Sequence, residues 1–311
     1  MSDCIGIIGA GSFGSALGKI LQNNGNEVLF YVRTPRDLSN STTSLKLFFE
    51  TCEIVFIVIP VENIIQLLDS IKAFIRPKHV LIHCIKGLVS KDEKNINRGS
   101  IFTISEFIKN ELHHDNVACL SGPNLADEIK NLQLTSVVIA SQKEAVRTKI
   151  KCLLENRKFV VYESKDVIGI ELCGVLKNII ALASGILNGL GEGDNAKSLL
   201  MTLGLQEMIK ITKIFTNIEE ETFYSVAGIG DLIATCSSNL SRNFTVGNRV
   251  AKGETLEKIL SEGITAEGIK TTAIINSLAL EKNIKFPITQ SVFKILFEKA
   301  DPNILISALS C

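Results

Sequence analysis

The sequence predicts an α/β chain: a doubly wound, mostly parallel sheet domain followed by an all-helical second domain. Two observations carry this. Through the first half, short apolar runs alternate with segments of helical spacing, the pattern of strands covered on both faces by crossover helices. Beyond residue 163 the alternation stops and only helical spacing remains. The expected domains are therefore 1–163 and 164–311.

Residues 5–8 (Ile-Gly-Ile-Ile) form the first strand, and 14–24 the first helix, with Leu17, Ile20 and Leu21 on one face. Strands are expected at 27–32 and 54–59. A surface helix follows over 61–75, where Ile64, Leu67, Leu68 and Ile71 recur at three-and-four spacing. Further strands lie at 80–84, 117–120, 136–140 and 159–162, with a helix at 103–112. The second half opens on 166–187, apolar almost all round and so buried on most sides. Helices over 197–215, 256–260, 270–281 and 290–297 complete it.

The chain has 311 residues, 46% hydrophobic and 21% charged, an ordinary globular composition. Lys plus Arg and Asp plus Glu both total 33, so the formal charge is zero. That argues against a nucleic-acid or membrane-surface partner, either of which needs a basic footprint. Any bound anion must be held by local groups. No uninterrupted apolar run approaches the ~20 residues of a membrane span, and Met1-Ser2-Asp3-Cys4 shows no basic-then-apolar leader pattern. The eight cysteines are scattered without a C-x-x-C pair, and most sit in apolar stretches as small hydrophobes. The four histidines (79, 83, 113, 114) all fall in the first half, and no zinc-binding spacing occurs. A cytoplasmic protein without disulfides or metal is expected.

Gly9-Ala10-Gly11-Ser12-Phe13-Gly14 fits G-x-G-x-x-G directly after a strand and at the opening of a helix. In that context the first glycine makes the tight turn, the second admits a diphosphate and the third lets helix pack on strand. The first domain thus reads as a Rossmann-type dinucleotide site. After the second strand comes Arg33-Thr34-Pro35-Arg36, with no acid before Asp37. An acid there would bind the ribose hydroxyls of NAD, whereas arginine suits the 2′-phosphate of NADP. Arg33, with Arg36 as a second candidate, tilts the expectation toward NADP without excluding NAD.

In the second domain Lys177-Asn178 interrupts an apolar helix. Its helical neighbours are small (Gly174, Cys173, Ala181, Ser184, Gly185), which leaves room for a ligand. Burial would also lower the lysine pKa toward the range of proton transfer. Gly228-Ile229-Gly230-Asp231 leads by a glycine turn to an acid, with Thr235 one turn on. Ser241-Arg242-Asn243 opens another helical pattern, a suitable phosphate cradle or simply a Ser241 cap. Lys86-Gly87 and Gly122-Pro123-Asn124 each follow a strand, at the carboxyl edge where such folds bind ligands.

Together these motifs resemble the NAD(P)-dependent glycerol-3-phosphate dehydrogenases, in particular the soluble bacterial form, along nearly the whole chain. Thr265-Ala266-Glu267-Gly268 is similar to that family's acidic segment near the cofactor. The resemblance implies reversible hydride transfer between NAD(P)H and dihydroxyacetone phosphate, giving sn-glycerol 3-phosphate for phospholipid synthesis. It implies Lys177 as general acid/base, with Lys86, Asn178 and Asp231 orienting and polarising the site. Gly122, Asn124, Thr235, Ser241, Arg242 and Asn243 would bind substrate. Gly9, Gly11, Ser12, Phe13, Gly14, Arg33, Lys86, Ala126, Arg242 and Glu267 would bind cofactor. Two departures stand out: the stretch between Arg33 and Cys52 is short, and Asn124 replaces the more usual Ser or Thr. The alternatives are a 3-hydroxyacid dehydrogenase of the 6-phosphogluconate type and a non-catalytic dinucleotide sensor. The former typically spaces its lysine and asparagine K-x-x-N, which would place the asparagine at Ile180. A homodimer through the apolar second domain is also an expectation.

Overall fold

The computed structural model describes residues 4–35, 38, 40–92, 96–217 and 219–310. Arg36, Asp37 and Cys311 lie outside the described residues. The chain forms two compact units: residues 1–85 with 103–170, and 86–102 with 171–311. The expected division at residue 163 differs in two ways. The segment 86–102 clusters with the second unit, and the boundary falls inside a helix, after Ile170.

The first unit is built on an eight-stranded sheet. Its strands in chain order are β1 (Ile5–Ile8), β2 (Val28–Tyr31), β3 (Ser41–Thr42), β4 (Ile54–Ile57), β5 (Val80–His83), β8 (Val117–Ser121), β9 (Thr135–Ala140) and β10 (Phe159–Ser164); β6 (Val89–Ser90) and β7 (Ile101–Phe102) pair separately as an antiparallel hairpin. The sheet order is β10-β9-β8-β5-β4-β1-β2-β3, and every pair is parallel except β8 with β9. From β1 the chain moves to β2 on one side and later returns to β4 on the other. The carboxyl ends of β1 and β4 therefore meet where the winding reverses, the place at which open α/β sheets bind ligands.

One face of the sheet packs on helices Ser12–Asn23 and Glu144–Leu154 and on Ile129, with Ile5, Ile7, Phe30, Phe56, Leu120 and Val137 in a common core. Beneath β1 on the other side the short helix Leu45–Thr51, capped by Ser44, brings in Phe48 and Phe49. A Cβ at Gly6 would lie 2.4 Å from the Phe48 ring, so the glycine in β1 is the seat of that aromatic. Phe48, Phe49, Phe74 and His79 continue as one ring cluster.

From residue 171 onward the second unit is helical, as expected, and the β6–β7 hairpin joins it from the segment 86–102. Two-residue strands are too short to show alternation in sequence. The unit's central helix is Val167–Gly189. It is long and apolar enough to cross a membrane, yet 94% of its most apolar stretch is buried inside the protein. Helices Asp194–Thr212, Asp231–Ser237, Arg242–Ala251, Leu256–Ser261, Glu267–Lys282, Pro287–Phe297 and Ile304–Leu309 accompany it. The helix Arg242–Ala251 lies backbone to backbone on the central helix. A Cβ at Gly247 would come within 2.0 Å of the Leu182 carbonyl, and one at Gly185 within 2.0 Å of the Phe244 carbonyl. Gly185 and Ser184, expected to leave room for a ligand, instead serve packing: Ser184 donates to the Cys236 carbonyl at 2.9 Å.

Candidate active site

In the first unit, the loop after β1 forms one end of a cavity of about 730 Å³. Gly9 holds φ +109°, a backbone conformation that a side chain resists, and a Cβ there would meet the Val58 carbonyl oxygen at 2.1 Å. Gly14 is closed by the Gly9 carbonyl at 1.9 Å from its would-be Cβ. Gly11 differs: nothing lies within 4 Å of its Cβ position. Turn, open approach and tight helix packing are the three properties that a diphosphate loop requires. The residues present fit a dinucleotide.

The cavity is also lined by Arg33 and Thr34 beyond β2, by Val58, Ile59 and Pro60 beyond β4, and by Asn63, Gln66, Leu67 and Ser70. Arg33 is exposed and borders this space. Ser12 opens helix Ser12–Asn23, and its hydroxyl accepts a hydrogen bond from Lys130 at 2.8 Å. That partner gave no sequence signal. Phe13 is half-buried against the core. Gly122 takes φ +135° after β8, Asn124 follows half-buried, and Ala126 begins helix Ala126–Lys130. Of the residues expected to bind cofactor, Lys86, Arg242 and Glu267 lie in the second unit.

The second unit gathers three of the expected polar groups, Lys86, Lys177 and Thr235, around the carboxylate of a fourth, Asp231. Val226–Gly230 winds as a π-helical turn, with Ser225 capping it through the Gly228 N–H at 3.3 Å. A Cβ at Gly228 would collide with the Phe223 carbonyl oxygen at 2.2 Å, so this glycine permits the wide turn. It delivers Asp231 at the start of helix Asp231–Ser237, with a side chain that turns to lysines. Lys86 Nζ donates to Asp231 Oδ2 at 2.8 Å. Lys177 Nζ donates to Asp231 Oδ1 and, at 2.6 Å, to Thr235 Oγ1. Thr235 in turn donates to the Asp231 carbonyl at 2.6 Å.

Lys177 is 5% exposed and Asp231 2%. Burial pushes the Lys177 ammonium down to about 8; Asp231 opposes the shift and the like charge of Lys86 adds to it. Burial pushes the neighbouring Cys236 thiol up to about 12, so it stays neutral beside them. Lys177 can therefore both hold and release a proton near neutrality, within a pair of cations sharing one anion.

A second chain of contacts runs alongside. Asn243 Nδ2 donates to Asn178 Oδ1 at 3.0 Å, and Asn243 Oδ1 accepts from the Gly268 N–H at 3.0 Å. A Cβ on Gly268 would meet the Asn178 carbonyl at 2.7 Å. Arg242, exposed at the start of its helix, donates to Thr265 Oγ1. Ser241 caps that helix through the Phe244 N–H at 3.3 Å. Glu267 opens the helix whose second residue is Gly268. The structure thus brings Asn178, Asn243, Arg242 and the segment 265–268 together. Thr265 is the member that sequence reasoning left without a role; its only signal was its place beside Glu267.

Both halves of the chain match known proteins. The family profile described as NAD-dependent glycerol-3-phosphate dehydrogenase N-terminus matches residues 4–43 and 35–147, and the corresponding C-terminus profile matches 166–307. The glycerol-3-phosphate dehydrogenase [NAD(P)+] of Macrococcus caseolyticus is 36% identical over 96% of this chain and 95% of its own length. That of Bacillus subtilis is 37% identical over 94% and 89%. A crystal structure of glycerol-3-phosphate dehydrogenase from Coxiella burnetii, 30% identical, matches with a TM-score of 0.86 over 99% of this chain and 98% of that one. With its diphosphate loop, its buried lysine–aspartate cluster and these relatives over nearly full length, the chain belongs to the NAD-dependent glycerol-3-phosphate dehydrogenase family.

Proposed function

We propose that this protein is the NAD(P)-dependent enzyme that interconverts dihydroxyacetone phosphate and sn-glycerol 3-phosphate. The observation that carries the mechanism is the buried Lys177 ammonium held by Asp231 and Thr235, with Lys86 on the other carboxylate oxygen. When bound, the nicotinamide supplies or accepts the hydride. Lys177 gives its proton to the carbonyl oxygen during reduction and takes it back from the hydroxyl during oxidation. Asp231 keeps both ammonium groups in place, and Lys86 adds positive charge where the oxygen becomes negative. Asn178 orients the site through Asn243.

The substrate phosphate is assigned to Arg242, Asn243 and Thr235 at the helix that Ser241 caps, with Gly122 and Asn124 on the substrate side. On the cofactor side stand Gly9, Gly11, Ser12, Phe13, Gly14, Arg33 and Ala126 in the first unit, and Lys86, Arg242 and Glu267 in the second. The first unit serves as the dinucleotide domain and the second as the substrate domain. NAD or NADP is the cofactor, and the exposed Arg33 on the cavity favours NADP. A cytoplasmic homodimer supplying phospholipid synthesis completes the proposal. The adjacent Lys177-Asn178 pair speaks against the hydroxyacid alternative.

The test is loss of reduced-cofactor absorbance with dihydroxyacetone phosphate, using NADPH and NADH separately, beside Lys177→Ala. Turnover by the wild type that collapses in the variant supports the assignment. Cofactor binding without turnover of this substrate by the wild type refutes it.

A further inference from the structure

The first-unit cavity has one wall that neither the glycine loop nor Arg33 explains. After Pro60 the chain passes through the tight turn Val61–Asn63 into helix Ile64–Ile71. Asn63, Gln66, Leu67 and Ser70 all line the cavity. Their spacing of three, four and seven puts them on one helix face, and three of the four are polar. Ser70 spends its hydroxyl on the Gln66 carbonyl at 2.7 Å. Asn63 stands directly before the helix, where asparagine commonly accepts a backbone N–H, yet makes no such cap. Among the described residues, neither the Asn63 nor the Gln66 side-chain amide has a hydrogen-bond partner. Asn63 is half-buried and Gln66 exposed, and both line the cavity with amides that are not tied to another protein group.

The glycine turn and the strand ends among the lining residues say which part of a dinucleotide meets them. The diphosphate belongs at Gly9–Gly11, and the adenosine ribose at the end of β2, beside Arg33 and Thr34. The base is the next group beyond that ribose. We propose that Asn63 and Gln66 read the N6/N7 edge of the cofactor's adenine, with Leu67 against the ring face. An amide suits that edge: its carbonyl accepts from the N6 amino group while its NH₂ donates to N7. The proposal rests on the cofactor reading of this cavity and adds base specificity to it.

Hypoxanthine tests this directly. It replaces the N6 amino group with a carbonyl, so both atoms of the edge become acceptors, and an amide paired with both atoms loses one bond whichever way it turns. Ribose, diphosphate and nicotinamide are unchanged. Affinities of NADH and reduced nicotinamide hypoxanthine dinucleotide would be measured by fluorescence titration, without substrate, and again for the pair bearing a 2′-phosphate. The wild type should prefer adenine by about fivefold or more, the lower end expected for one bidentate amide–base pair. In Asn63→Ala/Gln66→Ala the preference should fall to about one, with the larger loss of affinity in the adenine form. Equal affinities in the wild type, or an undiminished preference in the double variant, would overturn the proposal. Binding of neither dinucleotide would overturn the cofactor reading and this inference with it.

Discussion

Lys177 places a charge where an apolar helix would otherwise be continuous, and its proton should be visible in the kinetics. With its pKa pushed down to about 8, reduction needs the ammonium and should slow as pH rises through about 8. Oxidation needs the neutral amine and should quicken over the same interval. Rate–pH profiles in both directions check this. Lys177→Ala should lower turnover by roughly 10²–10⁴, the usual contribution of a positioned acid, with circular dichroism confirming the fold. Because the charge of Lys86 depresses Lys177, Lys86→Ala should move the surviving profile to higher pH. At the cavity, Arg33→Ala should weaken NADPH more than NADH in the same assay. These residues were legible because a lysine inside an apolar helix, or an arginine in the acid's place, is anomalous locally. The Thr265 contact to Arg242 was not, since a surface threonine 23 positions away carries no such mark.

Close helix contact is an element-scale demand. Helices Val167–Gly189 and Arg242–Ala251 touch through backbone atoms, so Gly247→Ala cannot be relieved by turning a side chain. The expected cost is about 1–3 kcal/mol, as for overpacked cores, read from the urea midpoint. Gly185→Ala should behave alike. Glu207 makes a different join: its carboxylate accepts from the Ile288 and Thr289 N–H groups at 2.9 Å each and from the Thr289 hydroxyl at 2.7 Å. It caps helix Pro287–Phe297 from across the unit. Long amphipathic segments were legible from spacing alone. The helix Leu45–Thr51 and the β6–β7 hairpin were not, because one or two turns, or two-residue strands, hold too few positions to establish a period. Helix Glu144–Leu154 carries its signal in Val146, Ile150 and Leu154, although it was absent from the expected elements.

For the whole molecule, stability should depend on two histidines in the first unit. His79 is fully buried, accepting from the Arg76 N–H at 2.9 Å and pairing with the Phe49 carbonyl at 3.0 Å; His114 pairs with the His79 carbonyl at 2.8 Å. Burial lowers both pKa values from the ordinary 6.5. The unfolded chain therefore binds protons more readily than the folded one as pH falls below about 6.5. The stability these residues contribute is complete above that pH and is lost progressively beneath it. Thermal midpoints should fall between pH 6.5 and 5; a His79→Gln variant should show a shallower fall. An unchanged slope in that variant would remove His79 from the account.

The strand–helix alternation, the glycine turn, the change of class near residue 164 and the polar groups that break apolar runs were all legible in the sequence. Each of these is a local property, since side-chain period and glycine conformation are set within a few residues. The folded chain alone reveals that Lys86, beyond the end of β5, joins the second unit, that Asp231 holds two lysines, and that Gly185 and Gly247 are packing devices. It also reveals that Asn63 and Gln66 line a cavity. Those facts depend on which distant segments are brought within a few ångströms, and burial and pairing over 54 or 145 positions of sequence leave no periodic trace in it.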